Sequence, residues 1–334
     1  MRRSLLFVVL PLATVCSRPD SPDPTGPKPG GPALLVEGFE DGNLGSRGWF
    51  DATTVTVVPD ARPGSSGTHA LQWHWNVGSV TPGGSVRFDF TPSNSVYLSY
   101  WVKQSPNWTG SGVGYHPHMF QFLTTADDHW IGPARSHLTL NDEMVYSPGR
   151  GGSVATLSLQ DALMIDKNNL MVDLTNVSEQ RAIGGYNGRP EPGLKWDAYD
   201  AGGGAYTNYK ILQPSPLVMT DATKNSWHKV ESFWQLNTIS GGKGRPDGII
   251  QSWFDGALVA DRHDIYFRTG ANPSMLIRTL LMAPYIGDGS PPTKFPDLLG
   301  SMPTMLQRRA SSTTDSSSCF ACATRALVAM LCGQ

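Results

Sequence analysis

WHKVESFWQLN, residues 227–237, decides the architecture. Trp227, Lys229, Glu231, Phe233 and Gln235 alternate with His228, Val230, Ser232, Trp234 and Leu236, and the first set is the more polar. A two-residue period marks a strand with two differently solvated faces, because successive side chains leave opposite sides of the backbone. The same alternation recurs upstream in HALQWHW (69–75), SVRFDF (85–90), VYLSYWVK (96–103) and HMFQFLT (118–124). Downstream it returns in GIIQSWFDG (248–256), ALVADR (257–262), DIYFRT (264–269) and SMLIRTLLMAPY (274–285). Clusters such as TPGG and TPSN separate these runs as turns. Helical period is absent from them, so an all-β domain of two packed antiparallel sheets is expected. Residues 125–216 are less regular; GRGG, GGYNGRPEPG and AGGGAY within them read as long loops.

The rest of the chain divides around this domain. Arg2 and Arg3 precede an apolar run, LLFVVLPL (5–12), too short to span a bilayer and suited to the core of a signal peptide over residues 1–16. Cys16 makes a lipoprotein-type signal the alternative to simple secretion, and a lipid on Cys16 would then be the chain's membrane attachment. Residues 17–32 (SRPDSPDPTGPKPGGP) are a Pro/Gly/Ser-rich linker that cannot bury enough apolar surface to fold. The domain is placed at 33–292. Residues 293–334 read as an atypical tail, disordered or weakly helical, without a closing strand. The cysteines are Cys16, Cys319, Cys322 and Cys332, so the domain folds without disulfides. With a formal net charge of −2 and no basic stripe, nucleic-acid binding is excluded. A monomer is expected.

Several segments together resemble the concanavalin A-like jelly rolls of polysaccharide lyases, in particular the alginate- and glucuronan-lyase type. They are WHKV (227–230), LNT (236–238), PDGIIQSWFDG (246–256), DIYFRT (264–269) and MAPYIGDG (282–289). The FED, YHPH and APYIGDGSP segments are similar to secreted bacterial relatives of that family. The resemblance implies a jelly-roll β-sandwich, a polysaccharide or oligosaccharide partner and no required cofactor. It also implies β-elimination on a uronate-containing glycan. A non-catalytic, lectin-like carbohydrate-binding module at the cell surface is the alternative, and a structural exported protein the third. By themselves Asp247-Gly248 and Asp255-Gly256 are turn dipeptides, since Gly accepts positive φ and Asp tolerates it.

β-Elimination needs the uronate carboxylate neutralised, a base for the neighbouring C–H and an acid for the leaving oxygen. The candidates are His116, His118 and Gln121 in YHPHMFQF, with Arg278 and Tyr285 near the end of the domain. His118 and Gln121 are three positions apart and Arg278 and Tyr285 seven. Each pair faces opposite sides of an unbroken strand unless a bulge or Pro284 shifts the phase. Arg278 lies amid apolar residues, where a charge needs a groove or a partner. Lys229, Glu231, Gln235, Gln251, Trp253 and Arg268 are substrate-binding candidates, with a core role the competing reading for Trp253. Glu37, Glu40 and Asp41 could hold a structural calcium. Paired carboxylates of the ExDxxE kind, GxSxG and phosphate-binding loops are missing, which argues against retaining hydrolysis and nucleotide chemistry.

Overall fold

The computed structural model describes residues 33–62, 64–76, 79, 81–108, 118–133, 136, 138–160, 217–245, 247–265, 267–268, 270, 272–285 and 297–306. The signal segment, the linker, His116, the CxxC and most of the long-loop region lie outside these residues. In chain order the strands are β1 (Ala33–Val36), β2 (Phe50–Asp51), β3 (Thr56–Val58), β4 (Ala70–His74), β5 (Val86–Ser93) and β6 (Ser95–Gln104). Next come β7 (His118–Thr124), β8 (Thr139–Ser147), β9 (Gly152–Gln160), β10 (Met219–Thr220), β11 (His228–Gln235), β12 (Ile239–Ser240) and β13 (Lys243–Gly244). The last are β14 (Gly248–Phe254), β15 (Ala257–Ile265), β16 (Ile277–Tyr285) and β17 (Asp297–Leu306). No α-helix interrupts the described residues.

One sheet runs β15-β14-β11-β6-β17-β4-β3, with β1 also on β17, and the other runs β10-β9-β8-β7-β16-β5-β2. Pairing is antiparallel throughout both sheets. Long crossovers set the order, so the fold is the expected jelly-roll β-sandwich. Alternation assigns the faces. Val96, Leu98, Tyr100 and Val102 of β6, with Val230 and Trp234 of β11, join Phe120 and Phe122 of β7, Leu140 and Met144 of β8, and Leu280 and Met282 of β16 in one core. Phe120 ties the sheets together, 4.5 Å from the Tyr100 ring and 6.0 Å from Trp73. Burying each such side chain contributes about 1.5–3 kcal/mol.

Three expectations need correction. Residues 139–160 are not loop: β8 and β9 form a hairpin closed at Pro148–Arg150, so GRGG is its turn. Residues 297–306, expected in a tail outside the domain, form β17 between β6 and β4. This is the closing strand that the sequence reading lacked. Gly248 is not a turn glycine but opens β14, where a Cβ would meet Ile265 O at 2.5 Å and the Phe267 ring. The other dipeptide behaves as expected: Asp255 (φ 48) and Gly256 (φ 82) turn β14 into β15.

A carboxyl group lies among the apolar side chains of the interior. Asp142 of β8 faces the core and accepts a hydrogen bond from the Tyr100 hydroxyl at 2.9 Å. Burial pushes its carboxyl up to about 7, while Tyr100 and the nearby Ser232 hydroxyl oppose the shift and the neighbouring charge of Glu143 adds to it.

Candidate functional site

The outward face of the second sheet carries a lateral row of register partners. Phe50 (β2) pairs with Arg87 (β5), Arg87 with Leu281 (β16), Leu281 with Gln121 (β7), Gln121 with Asn141 (β8) and Asn141 with Ser158 (β9). Val86, Phe88 and Phe90 lie on the core side of β5, which turns Arg87 outward. Arg87, Gln121, Asn141 and Glu143 are all buried. Gln121 Nε2 donates to Asn141 Oδ1 at 3.2 Å, and Gln121 Oε1 has no hydrogen-bond partner. A buried, unmatched amide oxygen costs on the order of 1–3 kcal/mol, the kind of deficit that functional sites retain.

Two irregularities interrupt the pairing of β7. Across from β8, His118 pairs with Glu143 and Phe120 with Asp142, so Met119 is the extra residue. Across from β7, Tyr285 of β16 pairs with His118 and Met282 with Phe120, a second irregularity next to Pro284. The backbone therefore brings positions 118 and 285 together, one step along the strands from the Gln121 row. His116 lies outside the described residues.

Arg278 does not join them. It sits at the other end of β16, seven residues or roughly 23 Å of extended strand from Tyr285. Its Nη2 donates to Asp127 O at 3.2 Å and its Nε to Thr279 Oγ1 at 3.4 Å, so its partner is loop backbone. The arginine in the row is Arg87, which sequence reasoning missed. An arginine alternating with Val86, Phe88 and Phe90 reads as an ordinary wet strand face. The available signal was Asp89 on the same face, a second charge in a strand otherwise rich in large apolar residues.

The substrate-binding candidates fall elsewhere. Lys229, Glu231 and Gln235 of β11 and Gln251 and Trp253 of β14 occupy the outward face of the first sheet, on the far side of the sandwich. Lys229 Nζ pairs with Glu231 Oε1 at 2.8 Å, and the same carboxylate accepts a hydrogen bond from the Tyr97 hydroxyl. Burial first, then the hydrogen bond to Glu231 and the charge of that carboxylate, raises the Tyr97 phenol well above its ordinary value. Gln251 Nε2 donates to Asp261 Oδ1 at 2.9 Å. Trp253 is buried with Tyr97 and Phe233 in a small outer cluster rather than in the main core. These residues and the Gln121 row cannot form one site.

Arg268 belongs to neither face. Its guanidinium donates to Asn237 O (3.0 Å), Met275 O (2.7 Å) and Asn94 Oδ1 (2.9 Å), so it ties loops together at one end of the sandwich. Burial lowers its pKa from the ordinary arginine value, with Asp247 opposing.

The carboxylates considered for calcium are held by protein donors. Glu37 accepts from Phe39 N, Arg47 Nε and Trp49 Nε1 at 2.9, 2.9 and 3.1 Å. Asp41 accepts from Asn43 N and Arg47 Nη1, and Glu40 from Thr68 N. The Arg47 guanidinium bridges Glu37 and Asp41, the place a cation would take; Glu37 beside it raises the Arg47 pKa further. Arg47→Ala is expected to cost about 2 kcal/mol in urea unfolding by leaving the buried Glu37 carboxylate under-bonded. Calcium or a chelator should leave the wild-type Tm in place; a rise with calcium would restore the metal reading.

No family model and no curated protein matches the chain. Among solved structures it is similar to alginate lyase vAL-1 from Chlorella virus, at 14% identity over 83% of this chain and 100% of that one, with a TM-score of 0.45. The marine PL-14 alginate lyase from Aplysia kurodai stands at 14% identity, 83% and 99% coverage and a TM-score of 0.45. Laminarinase from Flavobacterium sp. UMI-01 stands at 10% identity, 83% and 100% coverage and 0.43. At these scores the likeness carries no chemistry to this chain.

Proposed function

We propose that the chain is an exported polysaccharide lyase that cleaves a uronate-containing glycan by β-elimination on the outward face of the second sheet. The observation that carries this reading is the row Arg87–Gln121–Asn141 with positions 118 and 285 paired beside it. Buried amide groups of Gln121 and Asn141 would bind the uronate carboxylate and lower the charge that builds up as the α-proton leaves. The Arg87 cation adds positive potential at one end of the row, although Asp51 shares it at 3.1 Å. His118 and Tyr285 are the residue types that can take that proton and return one to the leaving glycosidic oxygen. Export rests on residues 1–16, and attachment through Cys16 remains the alternative to release.

Incubation with alginate and with polyglucuronate, followed by the ultraviolet absorbance of the unsaturated product, tests the reading. Gln121→Leu is expected to lower kcat/KM about 100-fold, the size of effect that follows loss of a transition-state donor. Tyr285→Phe and His118→Ala should each abolish turnover without unfolding the domain. Absence of product from wild type on every uronate, with retention on a polyuronate affinity gel, would reject the lyase and favour the carbohydrate-binding alternative.

A further inference from the structure

We propose that Phe50, His129 and Trp130 form a stacking subsite for one pyranose ring of the glycan, at the β2 edge of the second sheet. The subsite deepens the lyase reading and relies on it for the identity of the glycan. Trp130 is 57% exposed, an unusual position for the largest apolar side chain. Its surroundings hold it in place. Arg87 Nη1 donates to the carbonyls on either side of it, His129 O at 3.3 Å and Ile131 O at 2.7 Å. Trp130 N donates to Asp128 Oδ1 at 2.8 Å, and His129 Nδ1 lies 3.4 Å from Asp89 Oδ2. The rings pack against one another: Phe50 to Trp130 at 5.0 Å and 82°, His129 to Trp130 at 5.0 Å and 84°, Phe50 to His129 at 5.3 Å and 37°.

An exposed indole fixed by its own backbone loses little freedom on binding, so the contact it makes is kept as affinity. A pyranose ring suits it. The sugar's aliphatic C–H groups carry slight positive charge, and the aromatic face carries the complementary negative quadrupole. Position argues for the glycan of the neighbouring row and not an unrelated ligand. Phe50 is the register partner of Arg87, so the aromatic group continues that row by one strand. From Phe50 to Gln121 is three strand spacings, or roughly 14 Å, space for a chain of linked sugars crossing the strands. Arg87 belongs to both parts, with its guanidinium bracing the loop that presents Trp130.

The test is electrophoresis of the full chain through native gels containing alginate, polyglucuronate or laminarin, with product absorbance measured in parallel. Trp130→Ala is expected to weaken retention by one or both polyuronates about tenfold and to raise KM for the polymer by a similar factor with kcat little changed. Trp130→Phe should recover most of the loss. Leu258→Ala, a comparably exposed apolar residue on the other sheet, should change nothing. Retention unaltered by Trp130→Ala, or a wild-type chain retained by none of the gels, overturns the subsite. Trp130-dependent retention without unsaturated product keeps the subsite and rejects the lyase. Product formation with Trp130-independent retention does the reverse.

Discussion

Asp142→Asn is expected to stabilise the protein at pH 8 by up to about 4 kcal/mol and to remove the part of its pH dependence between pH 4 and 8 that this carboxyl contributes. The cause is a carboxyl held between the two sheets, with one hydrogen bond from Tyr100, and raised to about 7 by burial. A folded pKa above the unfolded one means that the native state keeps a proton the unfolded chain has released. The stability from this group is therefore complete below about pH 4 and is lost as pH rises through about 7. Asparagine fills nearly the same volume without a charge to desolvate. Urea unfolding of both proteins at pH 5 and pH 8 checks this, and parallel profiles for the two would show that Asp142 is not the group responsible.

Asn237→Ala should be the most damaging single truncation among the described residues outside the apolar core, at about 3–5 kcal/mol. Asn237 is fully buried, and its Oδ1 accepts from Phe267 N at 2.9 Å and Arg268 N at 2.8 Å. Its Nδ2 donates to Arg268 O at 3.0 Å and Thr238 O at 3.2 Å. Removing the amide orphans two backbone donors at once, and neither can turn to water. The same knot positions Arg268, so truncating that arginine should act on folding and leave glycan affinity per folded molecule unchanged. Lys229→Ala, which removes the partly exposed ammonium paired with the buried Glu231 carboxylate, is the contrast and should cost less, about 1–2 kcal/mol, because the Tyr97 hydroxyl still donates to that carboxylate. A comparable loss from both variants in thermal unfolding would refute the argument.

How far these features could be read from the sequence depended on what signal each element sends. The strands around 96–103 and 227–237 were legible because each has one apolar and one mixed face. β8 was not, since Asp142 lies on its core side and Asn141 and Glu143 are buried on the other, which blurs the period. β17 was missed for a related reason: Gly300 and Pro303 in DLLGSMPTML are residues that usually argue against a central strand. Gln121 could be picked out beside His118, but the bulge at Met119 between them leaves no mark in composition. The division of candidates between two faces was illegible in principle, because alternation gives faces within a strand and not which sheet the strand joins. Trp130 sits in DDHW, which reads as a surface turn, and only the three-dimensional position of Arg87 shows that the turn is braced.

The place of β17 also sets the timetable of synthesis. It lies between β6 and β4, yet about 190 residues separate Gln104 from Asp297, which a ribosome covers in roughly 10–40 s. Throughout that interval the nascent chain holds two unmatched backbone edges and an incomplete apolar layer, so the domain's period of greatest exposure to aggregation is built into its strand order.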